Sequence, residues 1–165
     1  MPYTIFHIDS ERGFRGGERQ LAYLASWLKV HGHRNIVVCR AGEDLEHAAR
    51  ERGLETLSLP FLTAWDPVSA LRLRRRVLEA GRPILHAHSA HAAGLAWLAS
   101  RGTQAARVAH RRVDFPLRSG LSAWLKYGSA DSVIAISEAV KQVLVDGGVE
   151  ASRIAVVPSA IEPNL

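Results

Sequence analysis

YTIFHIDSERGFRGGERQLAYLASWLKVHGHRNIVVC, residues Tyr3–Cys39, is the stretch whose reading decides the fold. Tyr3–Asp9 is a short apolar run and reads as a strand. The loop Ser10–Gly17 follows and ends on two glycines. Glu18–His31 places Leu21, Leu24, Ala25 and Leu28 at i, i+3, i+4 and i+7, the spacing of one helix face. Asn35–Cys39 is a second apolar, β-branched run and reads as a second strand. Strand, glycine loop, helix and strand in that order imply a parallel strand pair joined by a helical crossover.

The same alternation runs through the rest of the chain. Helices are expected over Glu43–Arg52, Pro67–Ala80, His91–Arg101, Leu121–Tyr127 and Glu138–Asp146. Strands are expected over Leu54–Leu59, Ile84–Ala87, Arg107–His110, Ser132–Ile136 and Ile154–Val157. Pro67 suits the first turn of its helix, and Gly53, Gly81, Gly102 and Gly147 stand where helices stop. The strands are nearly continuous apolar runs, which implies burial on both faces. The fold class is therefore α/β: a Rossmann-like parallel sheet of about seven strands with helices on both sides. Such sheets bind ligands beyond the carboxyl ends of their strands. Chemistry is to be sought in Ser10–Gly17, His88–His91, Arg111–Pro116 and Ser137.

The 165 residues fit one domain, with 47% hydrophobic and 22% charged residues. Residues 1–157 read as that domain and residues 158–165 as the start of a linker. The lone Cys39 excludes an internal disulfide framework and lies inside a strand, where a small buried hydrophobe is expected. A reducing cytoplasm follows as the default location. No apolar run approaches the roughly 20 residues of a membrane span. The formal charge is +5, mostly from arginine, which suits phosphate or carboxylate partners. Nucleic acid is not an expected partner, because no recognised module or aromatic interleaving accompanies the charge.

Four groups of residues could carry chemistry. Gly16-Gly17 opens the first helix, where free amides and the helix dipole favour an anion, although neither a dinucleotide fingerprint nor a P-loop is present. His86-Ala87-His88-Ser89, with His91, puts two rings on one face of a strand; a metal site, a polar ligand contact and simple packing all remain open there. Arg111 and Arg112 follow the fifth strand and could clamp an anion, with Asp114 holding one of them. Arg72, Arg74, Arg75 and Arg76 share the third helix with Leu71, Leu73, Val77 and Leu78; the leucines and the valine are expected to face inward and the arginines outward, toward water or anionic lipid. Trp65 and Trp124 are expected to be partly buried core. Ser137 suits a helix N-cap.

Together the segments RGGERQLAYLASWLKVHGH, ILHAHSAHAAGLAWLAS, HRRVDFP, KYGSADSVIAISEAVKQVLVDGGV and RIAVVPSAIE resemble the N-terminal half of family 4 glycosyltransferases of GT-B fold. The resemblance implies a retaining, metal-independent enzyme that needs no cofactor and takes a nucleotide sugar as co-substrate. It implies that this domain holds a sugar or lipid-linked acceptor, and that a donor-binding domain with an E-x7-E motif follows in a longer protein. The 165 residues alone are then expected to be inactive in transfer. Gly16, Gly17 and Glu18 match the loop against donor phosphate and acceptor. His88 matches a cleft position, and His110 and Arg112 compete for another, so these three are cast as catalytic. Arg111, Asp114 and Ser137 are cast as acceptor-binding, and Arg72, Arg75 and Arg76 as membrane-facing. Bacterial cell-surface polysaccharide, lipopolysaccharide or glycolipid synthesis on the inner face of the cytoplasmic membrane is the expected setting. VVPSAIE departs from the family hinge at Ala160 and Glu162. The rival expectation is a stand-alone α/β module that binds a nucleotide or anion without catalysis.

Overall fold

The computed structural model describes residues 2–63, 65–117 and 120–160. The elements run β1 (Thr4–Ile8), α1 (Gly16–Val30), β2 (Arg34–Arg40), α2 (Asp44–Glu51), β3 (Glu55–Leu59), α3 (Pro67–Glu79) and β4 (Ile84–Ala87). They continue with α4 (Ala90–Ser100), β5 (Ala106–Arg111), α5 (Leu121–Ala123), β6 (Ser132–Ala135), α6 (Glu138–Asp146) and β7 (Ile154–Val156). All strand pairs are parallel, in the order β3-β2-β1-β4-β5-β6-β7. The chain winds outward through β2 and β3, then returns to lay β4 beside β1. This reversal opens a crevice at the carboxyl ends of β1 and β4.

The two faces of the sheet are covered differently. On one face, Phe6, Ile8, Ile36, Val38, Leu85 and Ala87 pack against Leu73 and Val77 of α3 and Leu95, Ala96 and Ala99 of α4. Burial of each of the large side chains contributes about 1.5–3 kcal/mol. On the other face, Val37 and Cys39 pack under Leu21 and Ala25 of α1 and Leu45 and Ala49 of α2. α4 is apolar around most of its circumference because the sheet and α3 both press on it. A third cluster, centred on Val133, Ala135, Val140 and Leu144, seats α6 beneath β6 and β7.

Several boundaries differ from expectation for identifiable reasons. Gly16 and Gly17 are the first residues of α1 and have ordinary helical backbone; the left-handed glycine of that loop is Gly13, with φ 83°. β2 extends over Arg34 and Arg40 because both guanidiniums find acceptors at the strand ends, Arg34 on Glu55 at 2.7 Å and Arg40 on the carbonyls of Ser10 and Pro60. The fifth helix is one α turn followed by a π turn, Trp124–Gly128, closed by the Ser129 amide donating to the Trp124 carbonyl at 2.8 Å. A 3-10 turn, Ala151–Arg153, leads into β7. On α3, Leu73 and Val77 are buried as expected, but Leu71 and Leu78 face outward. Trp124 is also more exposed than expected, at 56%, whereas Trp65 meets the Trp97 ring edge-on at 6.0 Å.

Cys39 is buried, and burial pushes its thiol up to about 12, which leaves it inert as a nucleophile. No helix among the described residues is long and apolar enough to cross a membrane. Glu162 and the rest of the expected linker beyond residue 160 lie outside the described residues.

Candidate active site

The crevice at the reversal point holds a cavity of about 410 Å³. The first turn of α1 enters it with Gly17 and Glu18, β1 ends in it with Asp9, β4 with His88, and β5 with His110 and Arg112. First-turn amides of a helix have no acceptor within the helix, so this end of α1 is suited to a negative group. A side chain at Gly16 would point into open space. One at Gly17 would sit 3.7 Å from Arg112 Nη1, an ordinary contact. Steric necessity within the domain therefore does not explain the glycine pair. Glu18 accepts the Arg15 amide at 2.8 Å and so caps the helix as well as lining the cavity.

Arg112 is the residue on which the site converges. Its Nη1 donates to the Gly17 carbonyl at 3.0 Å, and its Nη2 lies 3.2 Å from His88 Nδ1 and 3.5 Å from His110 Nδ1. The guanidinium thus joins the ends of α1, β4 and β5 across the cavity floor. His110 and Arg112, which compete for one family position, both line the cavity.

A histidine core lies beneath. His7 of β1 stands opposite His86 of β4 in the strand register, and the alternation of β4 and β5 brings His88 and His110 to the same face. Ring centroids of His86 and His88 are 4.0 Å apart, and those of His86 and His110 5.8 Å. His7 Nδ1 lies 3.2 Å from His88 Nε2, and His7 Nε2 lies 3.0 Å from Asn35 Oδ1. Burial lowers all four pKa values: His7 to about 4, with the Asn35 bond partly opposing; His110 to about 3, with Arg112 adding to the effect; and His86 and His88 well below 6.5. The rings are neutral at physiological pH. His91, grouped with them in the sequence, is exposed on α4 and takes no part.

Three of these rings, His7, His86 and His88, bring one nitrogen each to within 4.8 Å of the others, a spacing that invites a metal. The donor set argues otherwise. Arg112 donates to His88 Nδ1, so the neutral ring carries its proton on Nε2, the very atom that would have to be bare to join His7 in ligating an ion.

Asp9 lines the cavity as well, although it is not among the residues cast as catalytic or binding from the sequence. Buried at the end of β1, it accepts the Glu11 amide at 3.0 Å. Burial raises its carboxyl to about 6, against that hydrogen bond and with the nearby Glu18 charge adding to the rise. Its carboxyl is thereby poised to titrate near neutral pH inside the cavity. The signal available in the sequence was its position as the last residue of the first expected strand.

The remaining expected residues are spread more widely. Arg111 also lines the cavity, from the other side of β5 to His110, where it donates to the Phe115 carbonyl and lies over the Tyr127 ring at 5.5 Å. Asp114 is exposed and pairs with neither arginine; backbone carbonyls hold those instead. Ser137 caps α6 by accepting the Val140 amide at 3.2 Å. Arg72, Arg75 and Arg76 are exposed on α3, and the last two pair with Glu79 at 3.4 and 3.5 Å.

A second, more apolar cavity of about 350 Å³ adjoins the first, sharing His110 and Arg112 with it. Trp27 of α1 and Val157 after β7 form its walls. The Gln20 side-chain amide holds the chain here, donating to the Ala160 carbonyl and accepting the Ala160 amide at 2.9 Å.

Residues 14–165 match the Glycosyltransferase Family 4 profile. The chain belongs to this family. No curated protein matches it by sequence. Among solved structures it is similar to a glycosyltransferase from Rickettsia africae, with 21% identity, a TM-score of 0.78, and coverage of 95% of this chain and 43% of that one. It is also similar to Anabaena HepE, solved in complex with UDP-glucose, with 17% identity, a TM-score of 0.77, and coverage of 96% and 44%. A third likeness is to the apo lipopolysaccharide outer core galactosyltransferase WaaB, with 17% identity, a TM-score of 0.72, and coverage of 97% and 46%. The family 4 chain therefore spans a little under half the length of these structures and has the Rossmann-like fold of one half of a GT-B enzyme.

Proposed function

We propose that this domain is the acceptor-side half of a retaining glycosyltransferase that uses a nucleotide sugar, with residues 158–165 leading toward a donor-binding half. The observation that carries the reading is Arg112, fixed between the start of α1, His88 and His110 at the one crevice where the sheet order reverses. Its charge and the amides of α1 converge on the same space, as a phosphate needs. The donor's phosphates then lie over Gly16 and Gly17, where the missing side chains let the ligand approach the backbone. UDP-glucose in the similar HepE makes a UDP-hexose the first donor to try.

Asp9 and Glu18 face the acceptor hydroxyl in this arrangement. The adjoining apolar cavity, with Trp27 in its wall, suits the flat face of a sugar or the start of a lipid tail. The histidines, neutral and weakly basic, position Arg112 rather than exchange protons. Cell-surface polysaccharide, lipopolysaccharide or glycolipid synthesis fits such an acceptor. The exposed Arg72, Arg75 and Arg76 suit an anionic cytoplasmic leaflet, and retention on anionic vesicles at low salt, lost on replacing all three, tests that part.

The central test is hexose transfer from UDP-sugars by the chain joined to its donor half. Transfer abolished by R112A supports the reading. The 165 residues alone are expected to transfer nothing and to bind UDP weakly. Tight nucleotide binding by them alone, with no transfer by the longer protein, supports the stand-alone binding module instead.

A further inference from the structure

Four residues link the floor of the cavity to the far end of β1, and their hydrogen bonds admit one direction. Asn35 Nδ2 donates to the His33 carbonyl at 2.8 Å, which assigns the amide oxygen to the His7 side. Oδ1 can only accept, so His7 donates from Nε2 across 3.0 Å, and its Nδ1 is bare. His88 must then supply the proton between the two rings, from Nε2 across 3.2 Å. A neutral His88 with a proton on Nε2 has a bare Nδ1, and that atom faces the Arg112 Nη2 donor at 3.2 Å. Every donor meets an acceptor only if both rings carry the Nε2 proton.

We propose that His7 and Asn35 are positioning residues that lock the tautomer of His88 and thereby the place of Arg112. Both are fully buried or nearly so, and neither lines the cavity. His7 holds His88 Nε2 as a donor, so that His88 can offer Arg112 nothing but an acceptor. With His7 in the other tautomer, two N–H groups would face each other between the rings or His88 would turn an N–H toward the guanidinium. Either arrangement leaves a buried donor without a partner. Arg112 would then keep only the Gly17 carbonyl and the longer 3.5 Å contact to His110 Nδ1, and its angle across the cavity would be free to change. His86, stacked on His110 and tilted against His88, has no hydrogen-bond partner at Nε2 among the described residues and lies outside this chain of donors.

The test is ring-nitrogen NMR of the 15N-histidine-labelled 165-residue chain at pH 7. The expected pattern has protonated Nε2 and bare Nδ1 in both His7 and His88. A proton on Nδ1 of either ring, an imidazolium in either, or loss of both patterns onto one equivalent of added zinc overturns the proposal. N35L removes the acceptor and is expected to mix the His88 tautomers. N35D keeps an acceptor facing His7 and, buried as the neutral acid, a donor to the His33 carbonyl, and is expected to preserve them. Equal loss of the pattern in both variants overturns the positioning role.

A second readout is pyrophosphate affinity, which rests on the phosphate reading of the cavity given above. N35L is expected to weaken it about tenfold, the worth of one charge-assisted hydrogen bond, and N35D by much less. Failure of all the proteins to bind pyrophosphate counts against the phosphate reading, whereas the tautomer assignment is decided by the ring nitrogens.

Discussion

The central strands carry two different cores on their two sides. Phe6, Ile8, Leu85 and Ala87 point toward α3 and α4 and form a dry apolar layer. Their immediate neighbours in the chain, His7, His86 and His88, point the other way and form a buried polar layer. Backbone and strand are the same for both; only the parity of the residue differs. The apolar layer stabilises by exclusion of water and is indifferent to pH. The polar layer is held by directed hydrogen bonds between neutral rings, so it carries the geometry of the candidate site and the pH sensitivity together.

Acid should separate the two layers most strongly. An unfolded histidine binds a proton near pH 6.5, but folded His7 and His110 do so only near 4 and 3. Between those limits the unfolded state holds more protons, so the stability these residues allow is present above 6.5 and is lost as pH falls. From pH 7 to pH 5 the two together cost about 4 kcal/mol. Asp9 has the opposite sign: its raised pKa adds stability as pH falls below about 6, offsetting about 1 kcal/mol. The net loss is about 3 kcal/mol before His86 and His88 add to it. Urea denaturation at pH 7 and pH 5 measures this, and equal midpoints would falsify the neutral-ring description.

The apolar layer is broken by L85A. Leu85 is fully buried between the strands and α3–α4. Its truncation is expected to cost about 3 kcal/mol. That loss should be the same at pH 7 and pH 5, since no proton is involved. A pH-dependent loss shows the two layers to be coupled.

R112K asks what the polar layer is for. Lysine keeps the charge but cannot reach Gly17, His88 and His110 at once, as the guanidinium fork does. Hexose transfer by the chain joined to its donor half is expected to fall by about 2 kcal/mol in kcat/KM, with the urea midpoint changed little. S137A should do the reverse. Ser137 caps α6, so its loss costs about 1 kcal/mol of stability. A loss of transfer beyond that would place Ser137 against the acceptor, as the family resemblance suggests.

The division between the layers also marks what was legible in the sequence. The order of strands and helices could be read because apolar runs and terminal glycines punctuate it. His88, His110, Arg112, Gly17 and Glu18 could be found because they stand at or just past strand ends or at a helix start. His7 and Asn35 could not. They sit inside β1 and at the head of β2, in runs whose apolar content reads as packing, and their role exists only once β4 is laid beside β1. His91 misled in the opposite way: it is close to His88 in the chain, but α4 carries it out to solvent.

The smallest effect is expected at His86, and it is the sharpest comparison because His86 faces His7 directly across the strand pair. Both rings are buried, and burial lowers both pKa values. His7 uses both nitrogens; His86 leaves Nε2 without a hydrogen-bond partner among the described residues. Leucine at position 7 would strand the Asn35 oxygen and the His88 proton, at a cost of about 2 kcal/mol or more. Leucine at position 86 fills similar space and removes a buried polar atom that gains nothing from the fold, at the expense of ring contacts with His88 and His110. These contributions nearly cancel, so H86L should lie within about 1 kcal/mol of the wild type at pH 7. It should also be the more stable protein at pH 5, because one ring that resists protonation is gone. A loss above about 2 kcal/mol at pH 7 would mean that His86 Nε2 has a partner in solution, and that the polar layer extends beyond the Asn35–His7–His88–Arg112 line.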